Sequence, residues 1–80
     1  MEQSILSRIT IDPQICHGKP VIRGMRFPVE TILEYLAGGD SPQDIVDEFK
    51  DLELNDIYAC LAYAAVALKA RSIHVKPFAA

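Results

Sequence analysis

The residues best equipped for chemistry fall in one fourteen-residue stretch, from Cys16 to Val29. It holds Cys16, His17, Lys19, Arg23 and Arg26 among two glycines and two prolines. Cys16 beside His17 suggests a thiolate and an imidazole. Neighbours on an extended segment point to opposite faces, however, so the two do not make a nucleophile and its base. Together with Cys60 and His74 the pair suggests a metal site, but adjacent ligands without a repeated short-spaced pair do not match structural zinc patterns. Gly18-Lys19 suggests a phosphate loop, yet Pro20 imposes extended geometry where such a loop needs further glycines and a helix. The acids fall at helix-surface spacings and fit a solvated face. No enzyme, metal or cofactor is therefore expected. What remains is positive charge: Arg8, Lys19, Arg23 and Arg26 on a backbone that Gly and Pro hold in a specified shape. That arrangement suits an anionic partner such as DNA. The alternative is that these cations pair with acids of the same chain.

Charge along the chain is uneven. Residues 1–28 carry Arg8, Lys19, Arg23 and Arg26 against Glu2 and Asp12, a net of +2. Residues 29–56 carry nine acids against Lys50, a net of −8, and residues 57–80 add Lys69, Arg71 and Lys76. The result is a basic start, an acidic middle and a basic tail. Two cysteines, one in a loop and one in an apolar helix, are not a disulfide framework, so a reducing cytoplasm is the expected setting. MEQSILSRIT contains an acid and no apolar run, and no signal peptide is expected. The longest uncharged apolar run, residues 57–68, is too short against the roughly 20 residues that span a bilayer.

These residues must be positioned by a small set of elements. Ser7 to Ile11 alternates Ile9 and Ile11 with Arg8, Thr10 and Asp12, and reads as a strand that Asp12-Pro13 ends. Val21-Ile22-Arg23 and Met25-Arg26-Phe27 are further extended pieces around Gly24. They form a hairpin or pair with the first strand. Pro28 opens a helix that Gly38-Gly39 closes. Ser41-Pro42-Gln43-Asp44 starts a second helix with the signature of a capping box. A third helix follows a short turn, with Leu54, Ile57, Tyr58, Leu61, Ala65 and Leu68 on one stripe. The fold class is mainly α: three helices in a homeodomain-like helix-turn-helix arrangement with a short N-terminal β-hairpin element. Residues 1–70 form a single domain, with the β element at 7–27 and helices at about 28–38, 41–50 and 54–70. Residues 71–80 are a tail.

The succession Arg8-Ile9-Thr10-Ile11-Asp12-Pro13, Cys16-His17-Gly18-Lys19-Pro20-Val21-Ile22-Arg23-Gly24 and Arg26-Phe27-Pro28-Val29 resembles the small prokaryotic family catalogued as domain of unknown function 433. The similarity continues through Ser41-Pro42, Asp44-Ile45, Asp56-Ile57 and Ala62-Tyr63-Ala64. The resemblance implies a homeodomain-like fold and an antitoxin of the VapB kind, encoded beside a PIN-like ribonuclease toxin. It carries over no active site. Met25 stands where the family usually has Thr, and Glu53 where Thr often caps the third helix.

In a helix-turn-helix protein the second helix of the unit reads the major groove from its N-terminal residues. Here that helix opens Leu54-Asn55-Asp56. Asn55 has base-reading chemistry, but Glu53 and Asp56 beside it repel phosphates. DNA contact is therefore expected at Arg8, Lys19, Arg23 and Arg26, with Asn55 added, in an autorepressor that binds its own operator. Residues 57–68 have no polar face, and a helix apolar all round must be buried all round. A homodimer or higher homo-oligomer is expected, with Ala59, Ala62, Tyr63, Val66 and Ala67 at the interface. In the tail, Arg71, Ile73, Val75, Lys76 and Phe78 are the expected contacts to a PIN-like toxin, whose metal-holding carboxylates a basic residue would block. The competing reading is a dimeric protein-interaction module without a DNA role.

Overall fold

The computed structural model describes the backbone of residues 3–71 and the side chains of residues 5–70. The elements run α1 (Gln3–Leu6), β1 (Ile9–Thr10), a 3-10 turn (Cys16–Gly18), β2 (Val21–Ile22), α2 (Val29–Ala37), α3 (Pro42–Glu48) and α4 (Leu54–Arg71). The fold is mainly α with a short antiparallel β pair, as the sequence pattern indicates. The tail residues Ile73, Val75, Lys76 and Phe78 lie outside the described residues.

The two alternatives for the β element both occur. β1 pairs antiparallel with β2, Ile9 opposite Ile22 and Thr10 opposite Val21. The chain then folds back on β2: the Ile22 amide donates to the Phe27 carbonyl at 3.0 Å, and the Val29 amide to the Pro20 carbonyl at 2.9 Å. The reversal needs positive φ at Arg23 (42°) and Gly24 (71°). Glycine takes such angles freely, whereas a non-glycine residue there costs about 1–2 kcal/mol. A second left-handed turn precedes it, with φ of 49° at Cys16, 59° at His17 and 81° at Gly18. It is closed by the Gly18 amide on the Ile15 carbonyl and the Lys19 amide on the Cys16 carbonyl.

The helices start and stop for readable reasons. Pro28 (φ −66°) is the residue before α2, where its missing N–H costs nothing, and Gly39 at φ 109° ends the helix after Gly38. Ser41 caps α3 reciprocally: its hydroxyl accepts the Asp44 amide at 3.0 Å and the Asp44 carboxylate accepts the Ser41 amide at 2.9 Å. Residues 49–53 connect α3 to α4.

α4 is the central element and packs against α1, α2, α3 and β1. The core gathers Ile22 from the β pair, Val29 and Ile32 from α2, Ile45 from α3, Leu52 from the connector, and Ile57 and Cys60 from α4. Phe49 seals one side, edge-on to Phe27 at 5.3 Å between ring centroids and tilted against Tyr35 at 5.6 Å. Among the described residues no helix is long and apolar enough to cross a membrane.

Candidate functional site

The Cys16–Val29 segment delivers its arginine inward as well as outward. Because β1 and β2 run side by side, Arg8 just before β1 and Arg23 just after β2 stand together. The Arg23 amide donates to the Arg8 carbonyl at 2.7 Å. Both guanidinium groups reach the first turn of α4, where Asp56 is fully buried. Its Oδ1 accepts from Arg8 Nη1 at 2.9 Å and Arg23 Nε at 3.0 Å. Its Oδ2 accepts from Arg23 Nη2 at 2.8 Å and from the Glu53 amide at 2.8 Å. Four donors fill the accepting capacity of the carboxylate, and the Nε/Nη2 pair of Arg23 engages it as a two-pronged fork. The same Nη2 donates to the Asp51 carbonyl at 3.0 Å, while Arg8 Nη1 also meets Glu53 Oε1 at 2.8 Å.

The electrostatics follow from this geometry. Desolvation pushes the Asp56 carboxyl up. The hydrogen bonds from Arg23, the Glu53 amide and Arg8 outweigh it and hold the group below the usual carboxylate range. Asp56 is therefore a buried anion that fastens the β pair to α4. Its bond from the Glu53 amide is also one half of a capping box at the start of α4. One turn along, burial first and the Asp56 charge second push the Cys60 thiol up to about 12, which makes it an inert part of the core.

The opposite side of α4 is bare. Leu54, Tyr58, Leu61 and Leu68 are exposed by 38% to 56%, and Ala65 between them is exposed too. Steps of four, three, four and three residues put all five on one line of the helix. On another flank, an apolar groove of about 340 Å³ runs between α2 and the second half of α4, over Leu33, Tyr63 and Ala67.

A family model described as protein of unknown function (DUF433) matches residues 9–64. The chain belongs to the DUF433 family. The crystal structure of a DUF433 member protein from Anabaena variabilis ATCC 29413, at 2.00 Å resolution, has the same fold with a TM-score of 0.73. It is 26% identical to this chain over 85% of this chain and 67% of its own length. No curated protein matches the chain significantly.

In this DUF433 domain the expected site residues divide sharply. Arg8 and Arg23, expected to face DNA, direct Nη1 of Arg8 and Nε and Nη2 of Arg23 at Asp56, Glu53 and Asp51. Lys19 is exposed and holds Glu30 at 2.7 Å, a bond that raises its pKa. Arg26 is exposed and has no partner among the described residues, and Asn55 is exposed at the start of α4. The expected interface is corrected at one position. Ala59 is fully buried within its own chain, because a small side chain there lets neighbouring elements close on α4, so it offers nothing to a partner. Ala62, Tyr63 and Ala67 are half-buried and Val66 is exposed. Of the tail residues, Arg71 ends α4 with its side chain outside the described set.

Sequence reasoning missed Asp56 as an anchor, treating it only as a charge hostile to phosphate. The signal was present: an acid three residues after the residue preceding a helix is a capping position, and the acidic middle faces a basic N-terminal segment.

Proposed function

We propose that this protein is a protein-interaction module that works as a homodimer, and that two copies meet on the face of α4 running from Leu54 to Leu68 rather than on the flank of Ala62, Tyr63, Val66 and Ala67 expected from the sequence. One observation carries the reading: Leu54, Tyr58, Leu61, Ala65 and Leu68 form an exposed apolar line along one face of an 18-residue helix. Single exposed apolar residues are ordinary, but a continuous row of large ones marks an interaction site. Arg8, Lys19 and Arg23 each already hold an acid of the same chain, which favours protein contact over nucleic-acid contact.

Sedimentation equilibrium tests this. The native protein should sediment at twice the 8.9 kDa chain mass, and Leu61→Glu, a change at an exposed position, should halve that mass while keeping its helical circular dichroism. A native protein that stays monomeric at all accessible concentrations, or a Leu61→Glu variant that stays dimeric, overturns the reading.

The antitoxin and autorepressor role implied by the family resemblance is the second reading, and Arg26, without a partner among the described residues, together with the exposed Asn55 is what favours it. A homodimer would present each twice, one reason DNA-binding proteins pair on operators. Gel shift on the protein's own promoter should then weaken in Arg26→Ala and Asn55→Ala. A PIN-like toxin encoded alongside should co-purify with the full chain and be lost on deleting residues 71–80. Equal DNA binding by both variants and by the native protein would remove the proposed contacts.

A further inference from the structure

Resting on the self-association proposed above, we infer that α4 pairs with α4 of a second copy in antiparallel order, with Leu61 on the two-fold axis. The spacing of the exposed line is close to symmetric about Leu61. Leu54 and Leu68 lie seven residues to either side, and Tyr58 and Ala65 lie three before and four after it. A two-fold axis through Leu61 therefore sets Leu54 against the partner's Leu68, Leu61 against its own copy, and the large Tyr58 ring against the small Ala65. Large against small is how packed layers interdigitate without voids. Parallel order would instead crowd two Tyr58 rings at one level and leave two Ala65 residues facing a gap at another.

Charge points the same way. The exposed acids Asp51 and Glu53 lie just before α4, with Asp56 buried and neutralised by Arg8 and Arg23, while the helix end carries Lys69 and Arg71. Antiparallel order brings each basic end beside an acidic start, and it also opposes the two helix dipoles. Parallel order gathers four cations at one end. Beside the seam, Lys69 meets the partner's Asn55 and stays well away from its own copy. A face that complements itself when two copies are set antiparallel fits a second copy of this chain, in a closed two-fold contact, better than an unrelated partner.

Site-directed cross-linking in a Cys16→Ser background tests the order, since the remaining native thiol, Cys60, is buried. Tagged Leu54→Cys mixed with untagged Leu68→Cys should give a covalent dimer between tagged and untagged chains under copper phenanthroline and air. Leu61→Cys should cross-link to itself, and Leu54→Cys alone should not, its two copies standing about 20 Å apart along the helix at 1.5 Å per residue. Self-cross-linking of Leu54→Cys would overturn the antiparallel order and leave the dimer reading intact. Failure of Leu61→Cys to cross-link in a protein that still sediments as a dimer would overturn the α4 seam itself. A tag-to-untag product from Leu54→Cys and Leu68→Cys that disappears in Leu61→Glu would tie the order to the seam.

Discussion

Replacing Arg23 with Ala separates a structural arginine from a nucleic-acid contact. Arg23 donates twice to Asp56 and once to the Asp51 carbonyl. Without it, a carboxylate with no exposed surface retains only Arg8 and the Glu53 amide. Removing one partner of a fully buried ion pair costs about 3–5 kcal/mol. The Arg23 side chain is itself 37% exposed, so water can enter the space it vacates, and solvent screening lowers the expectation to about 2–3 kcal/mol. The backbone does not confound the comparison, because Arg and Ala are equally uncomfortable at a φ of 42°. For a domain of this size that loss lowers Tm by about 8–24 °C.

The measurement is urea unfolding of Arg23→Ala, Arg8→Ala and Asp56→Asn at neutral pH and one fixed protein concentration, since dimerisation would otherwise shift the apparent stability. Arg8 gives Asp56 a single bond and shares its other contact with the exposed Glu53, so Arg8→Ala should cost less, about 1–2 kcal/mol. The double variant Arg23→Ala, Asp56→Asn should be far less unstable than the two single losses added together. An exposed arginine that serves only a ligand can be removed within about 0.5 kcal/mol. If Arg23→Ala unfolds within that margin of the native protein, the anchoring role of Asp56 is refuted and Arg23 returns to the list of surface cations.

Two further outcomes are expected. The Asp56 carboxyl is held below its ordinary range, so between its folded value and the unfolded value of about 4 the unfolded chain binds more protons; stability is complete above about pH 5 and is lost as pH falls through the folded value. Asp44, lowered by the Ser41 amide and hydroxyl, acts in the same direction, so the check is an acid titration of Asp56→Asn, which keeps Asp44 and should show a shallower loss. In the native protein at pH 8, iodoacetamide should label the half-buried Cys16 and leave Cys60, buried and with its pKa pushed up to about 12, unmodified until the protein unfolds; equal labelling of both would mean that the core around Cys60 opens readily.

Helix boundaries were legible because their signals are local. Ser41, Pro42 and Asp44 announce α3 through chemistry confined to four residues, and Pro28 and Gly39 mark the ends of α2 in the same way. α1 was not legible: four residues, Gln3–Leu6, make no periodic pattern, and their helix rests on α4. Nor was the full left-handed turn at Cys16–Gly18, since Gly18 and His17 tolerate positive φ but Cys16 carries no signal for it. The outward face of α4 was hidden for a different reason. With apolar residues on every side from Ile57 to Leu68, periodicity cannot say which side the rest of the chain will cover. The small side chain of Ala59 was taken inward, and the line of larger residues from Leu54 to Leu68 was left outside.

The candidate site teaches the more general point, because its residues were seen and its partners were not. A glycine- and proline-shaped segment bearing arginines reads as a device for presenting charge outward. Its shape here has the opposite use for Arg23. The reversal after β2 places Arg23 at positive φ next to Gly24, and its amide bonds the Arg8 carbonyl. Two arginines fifteen residues apart thereby converge on one carboxylate in α4. Any loop that delivered them less rigidly would leave Asp56 desolvated and short of donors, and a buried anion in that state would be protonated or exposed. The strained turn and the buried acid therefore depend on each other. What the segment leaves for a partner is Arg26, on the far side of Gly24 and outside the network, and that division predicts which arginine can be replaced without unfolding the protein.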